Sequence, residues 1–156
     1  MAMFAPGPII MPPAQAPIKR AFASLASNYT TSSTTAIATG ESVSLTCGPS
    51  GTIVFRGTGV LANNTANDSV EMSIYRTTGT APAAGSAPGS GDSRRYDTTR
   101  TRDHADYTTE ISTQVMDTGL TSGQVYAYYR TINTPSGGTS TIYGGSNQST
   151  LYAETW

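Results

Sequence analysis

Apolar and polar residues alternate with a period of two from Thr34 onward, and turn-forming residues break the alternation at short intervals, which is the pattern of antiparallel strands. Residues 34–39 lead into a Gly40-Glu41 turn, after which 42–47 place Val43 and Leu45 on one face and Ser42, Ser44 and Thr46 on the other. Beyond a turn at Gly48-Pro49-Ser50-Gly51, residues 52–60 set Ile53 and Phe55 against Val54 and Arg56, and the polar run 63–68 (NNTAND) reads as a loop. The alternation is clearest over 69–77, with Val70, Met72 and Ile74 inward and Glu71, Ser73 and Tyr75 outward. A one-residue slip there would turn all three apolar side chains to solvent, so the register is well specified. After a long break, 107–116 align Tyr107, Thr109, Ile111, Thr113 and Val115 on one face. Residues 124–133 are apolar on both sides, Val125, Ala127 and Tyr129 opposite Tyr126, Tyr128 and Ile132, which predicts a strand buried on both faces. Segments 139–143 and 148–155 close the chain on either side of Gly144-Gly145-Ser146-Asn147.

Eight such segments within about 120 residues, with no helical stretch among them, predict an all-β fold, an antiparallel β-sandwich. The strand count fits a jelly roll or an immunoglobulin-like domain. The jelly roll is preferred because the Cys…Trp…Cys spacing of the alternative is absent.

Two stretches depart from the alternation. Residues 1–33 predict an extended N-terminal arm ahead of a sandwich domain at 34–156: five of the nine prolines (Pro6, Pro8, Pro12, Pro13, Pro17) fall in the first twenty residues, and each ring fixes φ and removes a backbone donor. Phe4, Ile9, Ile10, Met11, Ile18, Phe22 and Leu25 are the arm's candidate anchors on neighbouring subunits. Lys19-Arg20 followed by Ala, Ser and Leu mimics a secretion signal in the wrong order and with too short an apolar stretch. The second departure is a long loop at 78–105, small and flexible at first and then rich in charge: Asp92 to Asp106 hold eight of the chain's nineteen charged residues. Arg94, Arg95, Arg100 and Arg102 alternate there with acids, and the planar guanidinium fork suits carboxylates and carbonyls across an interface, which predicts a docking or inter-subunit contact.

Composition narrows the functions available. Of 156 residues only 12% are charged, whereas Thr (26) and Ser (18) are abundant, the net charge is −1, and there is a single lysine, too little positive charge to track phosphates; no nucleic-acid partner is expected. One Cys and one His exclude a zinc, haem or iron–sulfur site and an internal disulfide, so neither metal nor cofactor is expected. No apolar run approaches a membrane span. The GTGVLA run at 57–62 matches a loose dinucleotide fingerprint but leads into Asn63-Asn64 and no helix. His104 beside Asp103 lacks a nucleophile elbow, and Glu41, Glu71, Glu110 and Glu154 read as solvent-facing positions on separate strands, so the chain is not expected to be an enzyme. Sequons at Asn28, Asn63, Asn67 and Asn147 follow from the abundance of Ser and Thr, and Cys47 reads as a small buried hydrophobe.

The run 118–130 (TGLTSGQVYAYYR), a turn with Leu and Gly ahead of an aromatic strand, and the closing 149–155 (STLYAET) resemble the jelly-roll decoration, cement and head-fibre proteins of tailed bacteriophages. The Pro-rich arm adds a general likeness. The resemblance implies a virion protein, a homo-oligomer and a trimer in form, bound to the major capsid protein on the capsid exterior and strengthening the shell. The rival expectation is a receptor- or carbohydrate-binding fibre module that uses Tyr and Trp faces for stacking.

Overall fold

A computed structural model describes residues 18–101, 108–145 and 148–156. Among these the backbone forms ten strands and no helix: β1 (Lys19–Ser24), β2 (Tyr29–Thr31), β3 (Ile37–Thr46), β4 (Ile53–Asn63), β5 (Ser69–Thr77), β6 (Ser93–Thr101), β7 (Thr109–Asp117), β8 (Val125–Asn133), β9 (Ser140–Ile142) and β10 (Thr150–Thr155). All pair antiparallel in two sheets, the predicted sandwich.

The six-stranded sheet is organised by β4. Along one edge β7 pairs with it from Ile53↔Asp117 to Leu61↔Thr109. Its other edge is shared: β10 takes the first half (Ile53↔Thr155 to Thr58↔Thr150) and β9 the second (Leu61↔Ile142 to Asn63↔Ser140). Strand β1 extends the sheet beyond β10, and β2 extends it beyond β9. The four-stranded sheet runs β3-β8-β5-β6. Between the sheets lie two apolar clusters, one around Val43, Ile53, Phe55, Ile74, Tyr128 and Leu151, the other around Leu61, Val70, Met72, Ile111, Ile132 and Ile142. Each fully buried aliphatic or aromatic side chain of this kind stabilises the fold by about 1.5–3 kcal/mol relative to exposure.

Three expectations need correction. The sandwich does not begin at Thr34, because β1 and β2 lie within the predicted 1–33 arm. Ala21 and Ala23 of β1 face the core while Arg20, Phe22 and Ser24 face out, an alternation with inward residues too small to stand out in the sequence. The Pro-rich residues 1–17 lie outside the described residues. The loop at 78–105 is also interrupted: Ser93–Thr101 pair with β5 as an edge strand, where hydrogen bonding on one side suffices and the exposed side chains can be charged. Finally, Gly40-Glu41 is a bulge inside β3, with the register against β8 shifting between Ala38 and Ser42 and Gly40 at φ +88°, a conformation that favours glycine.

The remaining part of that loop, 78–92, covers the outer face of the four-stranded sheet. It is strapped to β3 by the Ala38 amide donating to the Ser86 carbonyl (2.8 Å) and the Gly85 amide donating to the Ala38 carbonyl (2.9 Å). The Tyr129 hydroxyl, on the outward side of β8, donates to Asp92 at 2.6 Å, and the Tyr129 ring stacks on Tyr75. This cover explains why β8 is buried on both faces, as its sequence predicts.

Candidate functional site

The structure scatters the predicted contact residues. Phe4, Ile9, Ile10, Met11 and Arg102 lie outside the described residues, as does His104. Leu25 packs into the chain's own second cluster, so within one subunit it is a core residue. Arg94 reaches Glu71 (3.1 Å) and Asp97 (3.4 Å), and Arg95 reaches Asp117 (2.7 Å), so both guanidiniums are engaged inside the chain. Arg100 is exposed on β6. Ile18 and Phe22 are exposed at 55% and 61%, and they prove to belong to a larger surface.

That surface is the outer face of the six-stranded sheet. Strand register sets its rows: Arg20, Glu154, Val54 and Met116 lie side by side, then Phe22, Tyr152, Arg56 and Gln114, then Ser24, Thr150, Thr58 and Ser112. Ile18 and Trp156 follow on from Lys19 and Thr155 at the end nearest the first row. Glu154 bridges Arg20 (3.7 Å) and Arg56 (3.5 Å), accepts a hydrogen bond from the Tyr152 hydroxyl (2.8 Å), and Arg56 lies over the Tyr152 ring. Burial and the adjacent Glu154 carboxylate hold the Tyr152 phenol above its usual range. At the far end, Thr58, Gly59, Val60, Glu110, Ile111, Ser112 and Gln148 line an open cleft of about 600 Å³ where β9 and β10 part company along β4.

Two ionic networks lie inward, and sequence reasoning missed both. Glu41, expected at the surface, is buried at the β3 bulge, with its carboxylate 3.2 Å from the equally buried Arg130 guanidinium. The Ser149 hydroxyl donates to Glu41 (2.8 Å) and accepts from Arg130, whose other terminal nitrogen donates to the Thr150 carbonyl (2.8 Å). Burial pushes the Glu41 carboxyl up, against the opposing pull of Arg130 and Ser149. The two glycines of the apparent nucleotide fingerprint make room for this pair. A Cβ at Gly57 would stand 3.0 Å from Arg130 Nη2 and 3.1 Å from Ile74 Cδ1, and one at Gly59 would stand 3.1 Å from Arg130 Nη1. Gly57→Ala is expected to cost about 1–3 kcal/mol of stability by overpacking, measured by urea denaturation; a loss below about 0.5 kcal/mol would show that the guanidinium moves aside freely.

The second network closes one end of the sandwich. Buried Asp117 accepts from Arg76 (3.0 and 3.1 Å) and the Tyr128 hydroxyl (2.8 Å), and it pairs with Arg95. Arg76 also lies over the Tyr126 ring. Burial and then the hydrogen bond to Asp117 hold the Tyr128 phenol far above its ordinary value. Asn63, one of the sequon asparagines, is buried, and its amide nitrogen donates to Ser69, Thr134 and Gly137. It is therefore closed to modification in the folded chain. Among the described residues no group of three or more His, Cys, Asp or Glu converges as a metal site would require.

No family model matches the chain, and no curated protein does. Among solved structures it is similar to the Eiger TNF of S. frugiperda, with a TM-score of 0.58 at 8% identity over 90% of this chain and 93% of that one. It also aligns with the infectious bursal disease virus VP2 subviral particle (TM-score 0.40, 11% identity, 97% of this chain, 42% of that one). A third alignment is with the same virus's Gt strain (TM-score 0.27, 15% identity, 97% and 40%). The first likeness establishes the jelly-roll fold; fold alone assigns no activity.

Proposed function

We propose that the chain is a structural virion protein that binds the major capsid protein on the outside of a viral shell and stabilises it, with the homo-oligomeric, cement-like role that the phage resemblance implies. The observation that carries this reading is where the protein spends its polar chemistry. Arg76, Arg95, Arg130, Glu41 and Asp117 are engaged in buried ionic networks, Asp117 pairing across the two sheets and Arg130 reaching across them to the Thr150 carbonyl, while exposed apolar side chains collect on one outer face. This is the economy of a rigid block made to be held against something. Binding only the assembled shell shifts assembly by mass action, with no turnover needed.

Particles imaged with and without the chain provide the test. External density that disappears with the gene, and particles that rupture at lower temperature without it, are expected; density inside the shell, or none, overturns the reading. Deleting residues 1–17 leaves every described strand intact, since β1 begins at Lys19. It is expected to lower occupancy on shells at least about tenfold, the loss of one anchoring contact of roughly 1.4 kcal/mol. Unchanged occupancy would remove the leader from the contact.

One observation favours a second reading, a carbohydrate- or receptor-binding fibre module. The cleft at Glu110, Ser112, Thr58 and Gln148 offers hydroxyl, amide and carboxylate groups to a polyhydroxylated ligand. A glycan array with purified protein separates the two.

A further inference from the structure

Of the five large apolar side chains that stand out from the described surface, Ile18 (55%), Phe22 (61%), Met116 (62%) and Trp156 (41%) lie on the outer face of the six-stranded sheet, and only Val125 lies elsewhere. Of these the four-stranded sheet exposes only Val125, at the start of β8, because loop 78–92 covers most of its outer face. The six-stranded sheet has no cover among the described residues. We propose that this face is where a second copy of the chain packs. The inference rests on the homo-oligomer proposed above and assigns it a surface.

Three observations favour a copy of the chain over another occupant. The first is charge. Ionised groups facing out from β1, β10, β4 and β7 are Arg20, Arg56, Glu154 and Glu110, two of each sign. Such a face gives a strongly charged partner no purchase, and the arrangement complements itself. Arg20, Arg56 and Glu154 leave the Trp156 end one positive charge in excess, and Glu110 makes the cleft end negative, so a copy laid head to tail sets opposite signs against each other. The second is area. The exposed portions of these four side chains amount to roughly 500 Å² of apolar surface, the order of a monomer's largest patch, with charged residues set among them. Adding Arg20, Arg56, Gln114 and Glu154, which lie between them, approaches the roughly 800 Å² per partner of a standard interface. The third is where the chain leaves this face. Residues 1–17 precede Ile18 at its rim, so copies associated head to tail carry their leaders at opposite ends of one body, and linked leaders bind a lattice with greater avidity than single ones.

Sedimentation velocity of the full chain over about 1–100 µM tests the proposal, across the range in which weak protein association is read. The expected species are multiples of 16.2 kDa. Phe22→Glu and, separately, Met116→Glu are each expected to weaken association about 30-fold or more, as a charge set in place of a large buried interface side chain does, with circular dichroism confirming the fold. Val125→Glu, off this face, is expected to leave association unchanged. A 16.2 kDa monomer at the highest concentration overturns the proposal, as do oligomers indifferent to both substitutions on folded protein. Shell binding by the same proteins separates the two readings: a monomer that still decorates shells overturns this interface and spares the decoration, whereas an oligomer that ignores shells does the reverse.

Discussion

Replacing Arg130 by methionine is expected to lower the free energy of unfolding by about 3–5 kcal/mol, because it strands the Glu41 carboxylate in a site closed to water. For a chain of this size that corresponds to a fall of about 10–15 °C in Tm. The loss arises mostly from the uncompensated partner, so the double variant Arg130→Met, Glu41→Leu is expected to recover most of it, and a double-mutant cycle in urea measures the coupling. The pH dependence adds a second readout. Burial already raises the native Glu41 carboxyl above its ordinary 4.5, so the native state holds this proton more tightly than the unfolded chain does. The stability contributed by that proton is complete below the unfolded pKa and is lost as pH rises through the native one. Without the guanidinium the native value climbs further, and the single variant's loss should grow as pH rises above about 4.5. A single variant within 1 kcal/mol of the parent at neutral pH would mean that the pair contributes nothing.

Asp117→Ala is expected to cost about 3 kcal/mol, for a different reason. Arg76 and Arg95 keep some access to solvent and can turn outward, whereas the Tyr128 hydroxyl is buried and loses its acceptor. One buried unsatisfied hydroxyl costs about 1–3 kcal/mol, and the charged hydrogen bonds add to that. Asp117→Asn keeps an acceptor for Tyr128 and gives up the charge, so it should lose about half as much. Equal losses in the two variants would show that the ion pairs, and not the tyrosine, carry the energy.

The strands most legible in the sequence are those with a sheet neighbour on each side and large inward residues. Ser69–Thr77 is a strand over the same residues that its alternation marks, and 124–133 shows its two-sided burial in its composition. Edge strands were less legible. Strand β1 turns only two alanines inward, and β6 presents Arg, Asp and Thr because its outer side faces water. The central ion pair left almost no trace in sequence. A glutamate after a glycine reads as a turn, and Arg130 lies inside the 124–133 segment with nothing in the sequence to mark a buried partner; the β3 bulge sets Glu41 against it. Gly57 and Gly59 did carry a signal, alternate small residues along one side of a strand, whose meaning is the bulk of the guanidinium across from them. Of the predicted contact residues, Phe22 lies on β1 and Ile18 directly ahead of it, with the register set by β10, so both meet a shared surface, whereas Leu25, one residue past that strand, turns into the core.

The first and last strands of the sandwich lie side by side, Lys19 opposite Thr155 through Ser24 opposite Thr150, with β10 also hydrogen-bonded to the central β4. A growing polypeptide therefore cannot complete its larger sheet until β10 has emerged from the ribosome. Until then β4 offers an unpaired edge to whatever is near. Closure of the larger sheet is thus a late step dominated by contacts distant in sequence, slow by the standards of small domains, and a chain that stops short of β10 leaves an edge of β4 open to its neighbours.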